Sequence, residues 1–138
     1  GMLPGFFSDD GYTDRYFENP AYYERDRDLF RTYVPLAIEV ATAGWRPVRT
    51  LVSCSDEEVF VEQFGDRYAT VFNASVSSEK RVTLRSARAS AAERVTGATC
   101  AFAGGCAVLE IPPESVRLLD FGTTPQKGVP LTGKEQSK

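Results

Sequence analysis

The 138-residue chain contains no histidine. That absence removes the Ser-His-Asp and Cys-His constellations, any histidine-ligated metal, and the side chain that ordinarily titrates near neutrality. Cysteine is scarce as well. Cys54, Cys100 and Cys106 make an odd number and contain no Cys-x-x-Cys pair, so neither a zinc knuckle nor a redox motif can be assembled from them. No apolar run approaches the roughly 20 residues that span a bilayer. No basic-then-apolar leader opens the chain, which points to the cytoplasm if this is the whole gene product. The formal net charge of −3 lacks the basic excess that a phosphate backbone demands, and this argues against nucleic acid. Gly1, ahead of Met2, reads as the scar of a cleaved tag. What these absences leave is one soluble domain, since domains usually run to roughly 100–150 residues, with no cofactor, no metal and no complete catalytic apparatus expected.

Cys100 and Cys106 flank Gly104-Gly105, a two-residue hairpin signal. In that register Ala103 faces Cys106 and Cys100 faces Leu109, so the two thiols point to opposite faces and cannot be bridged. A three-residue turn would put both on one face, but diagonal and strained. The thiols therefore read as small buried groups in a reducing compartment.

Four segments are visible. Residues 1–18 mix Phe6, Phe7, Tyr12, Tyr16 and Phe17 with Asp9, Asp10, Asp14 and Glu18 without a clean period, and read as an extended aromatic arm. A helical segment over 19–45 opens with Asn19 as N-cap and Pro20 at the first helical position, where a missing N–H costs nothing. Its apolar residues Leu29, Tyr33, Leu36 and Val40 recur at helical spacing. Pro35 should kink this helix or split it into a pair, and Gly44 should cap it. From 46 to 121 the period changes to two, with strands expected near Val48–Cys54, Val59–Phe64, Tyr68–Ala74, Arg81–Ser86, Glu93–Val95, Thr99–Ala103, Cys106–Ile111 and Val116–Phe121. Seven to eight short strands separated by Gly, Pro and Ser-Asp signals predict a mainly β protein built as an antiparallel β-sandwich. Residues 122–138 form a polar tail.

The carboxylate pairs Asp9-Asp10, Asp26/Asp28 and Glu57-Glu58 are poor candidates for acid–base work. Glycoside hydrolysis needs two carboxyl groups facing each other about 5–10 Å apart. Neighbours on a strand face opposite ways, and residues two apart on a helix do not meet. Solvated charge, with ion pairs inside Glu24-Arg25-Asp26-Arg27-Asp28, is the simpler expectation. Asn73-Ala74-Ser75 matches a glycosylation sequon, and Gly104-Gly105 lacks the following helix that a phosphate-cradling loop needs. Trp45, the only tryptophan, falls at the junction of helix and sheet, where it is expected to anchor one to the other.

Seven of the sixteen aromatic residues fall within the first 23: Phe6, Phe7, Tyr12, Tyr16, Phe17, Tyr22 and Tyr23. So many rings exceed what a small sandwich can bury, and exposed apolar surface of that kind marks an interface or a ligand groove. They are the candidate contact residues, for another domain, for a second copy of the chain, or for the flat faces of a polysaccharide. Alternatively, the arm wraps the sandwich and covers an edge.

Three stretches together resemble a known arrangement. The run from Arg25-Asp26-Arg27-Asp28 through Tyr33-Val34-Pro35-Leu36, with Ala43-Gly44-Trp45-Arg46-Pro47-Val48, is similar to the last helix of a glycoside hydrolase barrel and its exit into the C-terminal domain. Val59-Phe60-Val61-Glu62-Gln63-Phe64-Gly65 and Tyr68-Ala69-Thr70-Val71-Phe72-Asn73 resemble the opening strands of the β-sandwich that follows. Val95-Thr96-Gly97 and Leu109-Glu110-Ile111-Pro112-Pro113, continuing to Leu119, resemble its closing strands. In that family the catalytic carboxylates lie on barrel strands upstream, and nothing in this chain matches them. The resemblance thus implies a non-catalytic accessory domain that packs on a catalytic barrel absent from this chain, with polysaccharide contact as a further role. A free-standing carbohydrate-binding module and a small protein self-associating through its arm are the alternatives.

Overall fold

A computed structural model of the chain describes residues 20–122; the expected arm, and the tail beyond Gly122, lie outside the described residues. One helix, α1 (Pro20–Ala43), precedes nine strands: β1 (Trp45–Arg46), β2 (Ser53–Cys54), β3 (Val59–Phe64), β4 (Tyr68–Asn73), β5 (Lys80–Arg85), β6 (Ser90–Glu93), β7 (Thr99–Ala101), β8 (Cys106–Ile111) and β9 (Val116–Asp120). They form a six-stranded sheet in the order β1-β3-β4-β9-β6-β7 and a three-stranded sheet in the order β2-β5-β8. Every pairing is antiparallel. The protein is mainly β, an antiparallel sandwich preceded by a helix.

The reason for two layers is visible in the alternation. Along β3, Val59, Val61 and Gln63 are buried and Phe60 and Glu62 are exposed; along β5, Val82 and Leu84 are buried between exposed Arg81, Thr83 and Arg85. The inward residues of both sheets meet in one core, where Val61, Ala69, Val71 and Leu119 of the large sheet pack with Val82, Leu84, Ala107 and Ile111 of the small one. Phe102 closes one side of this core, stacked on Phe121 with ring centroids 5.9 Å apart.

The sequence expectations differ from the structure in four places. The Val48–Cys54 strand reduces to Ser53–Cys54, because the Gln63 side chain, and not a neighbouring strand, takes the N–H groups of Thr50 and Leu51. The expected Glu93–Val95 strand lies earlier, at Ser90–Glu93, and ends where the Glu93 carboxylate takes the N–H groups of Val95 and Thr96. Pro35 does not divide the helix, which runs unbroken through it; Pro35 and Arg31, whose carbonyl loses its donor, are both exposed, so water can replace the lost bond. The Ala103–Cys106 pairing exists, with Gly104 and Gly105 at φ 58° and 80° as such a turn requires. Beyond it, however, the chain changes sheets. Cys100 pairs with Ala91 and Leu109 with Val82, so Cys100 and Leu109 are not partners. All three cysteines are free thiols.

Candidate functional site

α1 meets the outer face of the six-stranded sheet through its last turns. Gly44, at φ 78°, ends the helix and donates its N–H to the Val40 carbonyl at 3.1 Å, as expected of a left-handed cap. Its own carbonyl accepts from Gly65 N–H at 2.7 Å. The approach is close enough that a Cβ on Gly65 would sit 3.2 Å from the Ala43 carbonyl oxygen.

Charged groups fasten the same junction. Arg67 donates from Nε and Nη2 to the two oxygens of Asp120, both at 2.7 Å. Arg94 reaches Asp120 at 3.0 Å and grips both oxygens of Glu39 on α1 at 3.0 and 3.1 Å, while the Tyr68 hydroxyl donates to Glu39 at 3.2 Å. The Arg67 guanidinium also lies over the Tyr68 ring, 4.7 Å from its centroid. The hydrogen bond from Arg67, helped by the Gly122 N–H, holds the Asp120 carboxyl down at about 2 against the opposing effect of burial. Burial pushes the Tyr68 hydroxyl up, with the Arg67 charge acting against it. Two guanidinium groups balance two carboxylates here, so the cluster is a clasp between helix and sheet with no charge left over for a substrate.

Away from the clasp, the same sheet face is open. Phe60 pairs with Phe72, and Phe72 with Val116, in a row across β3, β4 and β9. Phe60 is 54% exposed and Phe72 38%. This row lies four residues, or about 13 Å, along the strands from Phe64, Tyr68 and Asp120 at the clasp. Trp45, expected to anchor the helix, instead lies 59% exposed beside Phe64 with its indole N–H on Glu62. The reason is its place on the two-residue edge strand β1, which turns the ring outward.

Buried polar side chains take structural roles. Gln63 accepts the N–H groups of Thr50 and Leu51 and donates to the Gly65 carbonyl, replacing the missing strand ladder of that segment. Asn73 is fully buried and donates to the carbonyls of Ser78, Ile111 and Pro112 while accepting from Ser75 N–H. The sequon is thereby excluded as a glycosylation site in the folded protein, since its amide is consumed inside. Glu93 holds the turn after β6 through Val95 and Thr96. Among the described residues, every buried side-chain nitrogen and oxygen has a partner.

A concavity of about 310 Å³ is lined by residues 49–53, 85–87 and 104–106. It lies at the end of the small sheet where Ser53, Arg85 and Cys106 form one cross-strand row. Nothing in the sequence pattern marked it, because its three segments are remote in the chain and only the Gly104-Gly105 turn was legible.

Of the residues singled out from sequence, Phe6, Phe7, Tyr12, Tyr16 and Phe17 lie outside the described residues, as does the side chain of Tyr22 in α1. Tyr23 is half-buried, with the Arg27 guanidinium 5.8 Å from its ring centroid. Of the carboxylates, Glu24 pairs with Arg27, Asp26 with Arg25 and Glu58 with Lys80, while Asp9 and Asp10 lie outside the described residues. Among the described residues no group of three Cys, Asp or Glu side chains is placed to hold a metal ion, and no helix is long and apolar enough to cross a membrane. The chain matches no family model, and no curated protein or solved structure matches it either.

Proposed function

We propose that this chain is a non-catalytic accessory β-sandwich whose helix and outer sheet face pack on a larger domain, of the kind that the resemblance to glycoside hydrolases implies. The observation that carries this reading is α1 itself. Its apolar residues form two stripes on opposite sides: Tyr33, Leu36 and Val40 on one, Val34 and Ile38 on the other. Tyr33, Leu36 and Val40 are half-buried and Leu29, on the same stripe nearer the start of the helix, is 56% exposed, whereas Val34 is 44% exposed and Ile38 61%. A helix apolar on both sides belongs between two layers, and the sandwich supplies one.

The expected result is that the chain hydrolyses no aryl glycoside; measured turnover of any of them would sink the reading. A second reading, direct contact with polysaccharide, draws on the exposed rings of Phe60, Phe72 and Trp45 on one sheet face, since flat apolar rings can stack on sugar faces. Calorimetric titration with polysaccharides separates the two. Binding that is lost in Phe60→Ala and Phe72→Ala would favour sugar contact, and no heat would favour domain packing. Sedimentation at several concentrations tests whether the second layer is another copy of the chain.

A further inference from the structure

We propose that the groove at the end of the three-stranded sheet is a binding site for a small molecule carrying a phosphate or sulfate group. Its volume of about 310 Å³ falls at the lower end of the range of small-molecule sites, roughly 300–1,000 Å³. The charge of its lining is one-sided. Arg49 and Arg85 both contribute, and no carboxylate does, in a chain whose overall charge is −3.

The two guanidinium groups are available to different degrees. Arg49 is tethered by Nη1 to the Val61 carbonyl at 2.8 Å, which fixes the side chain and leaves its remaining donors free. Arg85, exposed, makes no ion pair or side-chain hydrogen bond among the described residues, while Arg81, four residues back on the same strand face, is paired with Glu110. An unpaired guanidinium beside a second one is arranged for a multiply charged oxyanion, which planar forks recognise in pairs of hydrogen bonds.

The rest of the lining suits an oxyanion as well. Ser53 and Cys106 flank Arg85 on the neighbouring strands. Gly104 and Gly105 leave one rim without side chains, and that rim is fixed by Ser86 N–H on the Gly105 carbonyl at 3.0 Å. Ser86 Oγ is occupied, donating to the Leu51 carbonyl at 2.6 Å and accepting from Arg88 N–H, so it holds the groove's shape and not the ligand. The site shares no residue with α1 or with the aromatic sheet face, and its fate is independent of the packing role proposed above.

The test is NMR titration of the amide signals with inorganic phosphate, inorganic sulfate and phenyl phosphate at low ionic strength, against sodium chloride at matched ionic strength. Saturable shifts confined to residues 49–53, 85–87 and 104–106 are expected with the three probes and not with chloride. Arg85→Ala should weaken binding about tenfold or more, and Arg85→Gln likewise, with unchanged urea midpoints because the side chain has no partner to lose. Arg81→Ala should leave binding intact. Tighter binding of phenyl phosphate than of the free anion assigns the site to an ester, and equal binding assigns it to the anion itself; both support the shared chemistry. Shifts scattered over the surface, shifts equalled by chloride, or binding indifferent to Arg85→Ala overturn the proposal.

Discussion

Between the two sheets, Val71, Leu84, Ile111 and Leu119 are fully buried, whereas in α1 none of the described side chains is buried along 24 residues. The two regions are stabilised in different ways. The sandwich closes its own core from both layers and satisfies its buried polar atoms internally. Among the described residues the helix is tied to the sheet at one end, by Glu39 and Gly44, and carries exposed ion pairs nearer its start that are individually weak in water. Most of a helix's stability in proteins comes from packing an apolar face. Such an imbalance among the described residues is what the proposed packing role would account for: the sandwich closes its own core, and the helix leaves apolar side chains for a further layer.

The largest expected effect tests the first half of that contrast. Ile111→Ala removes a fully buried side chain where both sheets converge and should cost about 3 kcal/mol, measured as a lower urea midpoint with unchanged slope. Next comes Asn73→Ala. It leaves the buried Ile111 carbonyl and the Ser75 N–H without their partners and should cost about 2 kcal/mol by the same measurement. If either variant proved neutral, the core would not be the self-sufficient element described.

How far the sequence revealed this contrast depends on the kind of signal. The strands with clean alternation, Val59–Phe64 and Lys80–Arg85, were legible because period two survives where one face is buried and the other wet. Ser90–Glu93 was not, since Ala and Ser are weak strand formers and the segment is held by its neighbours β7 and β9. The Val48–Cys54 run misled because the Gln63 side chain, not a strand, satisfies Thr50 and Leu51. The clasp of Glu39, Arg67, Arg94 and Asp120 joins residues up to 81 positions apart, and no local spacing can announce it. The groove is hidden for the same reason. The apolar spacing of the helix was legible, but Val34 and Ile38 fall outside the run of Leu29, Tyr33, Leu36 and Val40, and two residues alone make no helical period.

The clasp is where the two regions meet, and it should make their union sensitive to pH. Because Arg67 holds the folded-state value of Asp120 at about 2, below the roughly 3.9 of an unfolded chain, Asp120 contributes stability above about pH 4 and loses it as the pH falls toward 2. Asp120→Asn should therefore be less stable than the parent by about 1–2 kcal/mol at pH 7, the gap closing as the pH approaches 2. A gap that stayed constant with pH would show that the loss came from packing and not from the carboxylate's charge.

The smallest effect is the sharpest probe of the helix. Val34→Asp and Ile38→Asp place charge on the stripe facing away from the sheet, and should move the urea midpoint of the sandwich by no more than about 0.5 kcal/mol, as surface substitutions do. Hydrogen exchange should agree: amides of α1 ahead of Leu36 should exchange much faster than those of β4, whose strand pairs on both sides. A loss near that of Ile111→Ala would mean that the outer stripe is already packed within this chain, and the argument for a second layer would fail. Near-neutral values in the isolated chain, joined to loss of association in the presence of a packing partner, would instead give Val34 and Ile38 a role that the sandwich's own stability does not require.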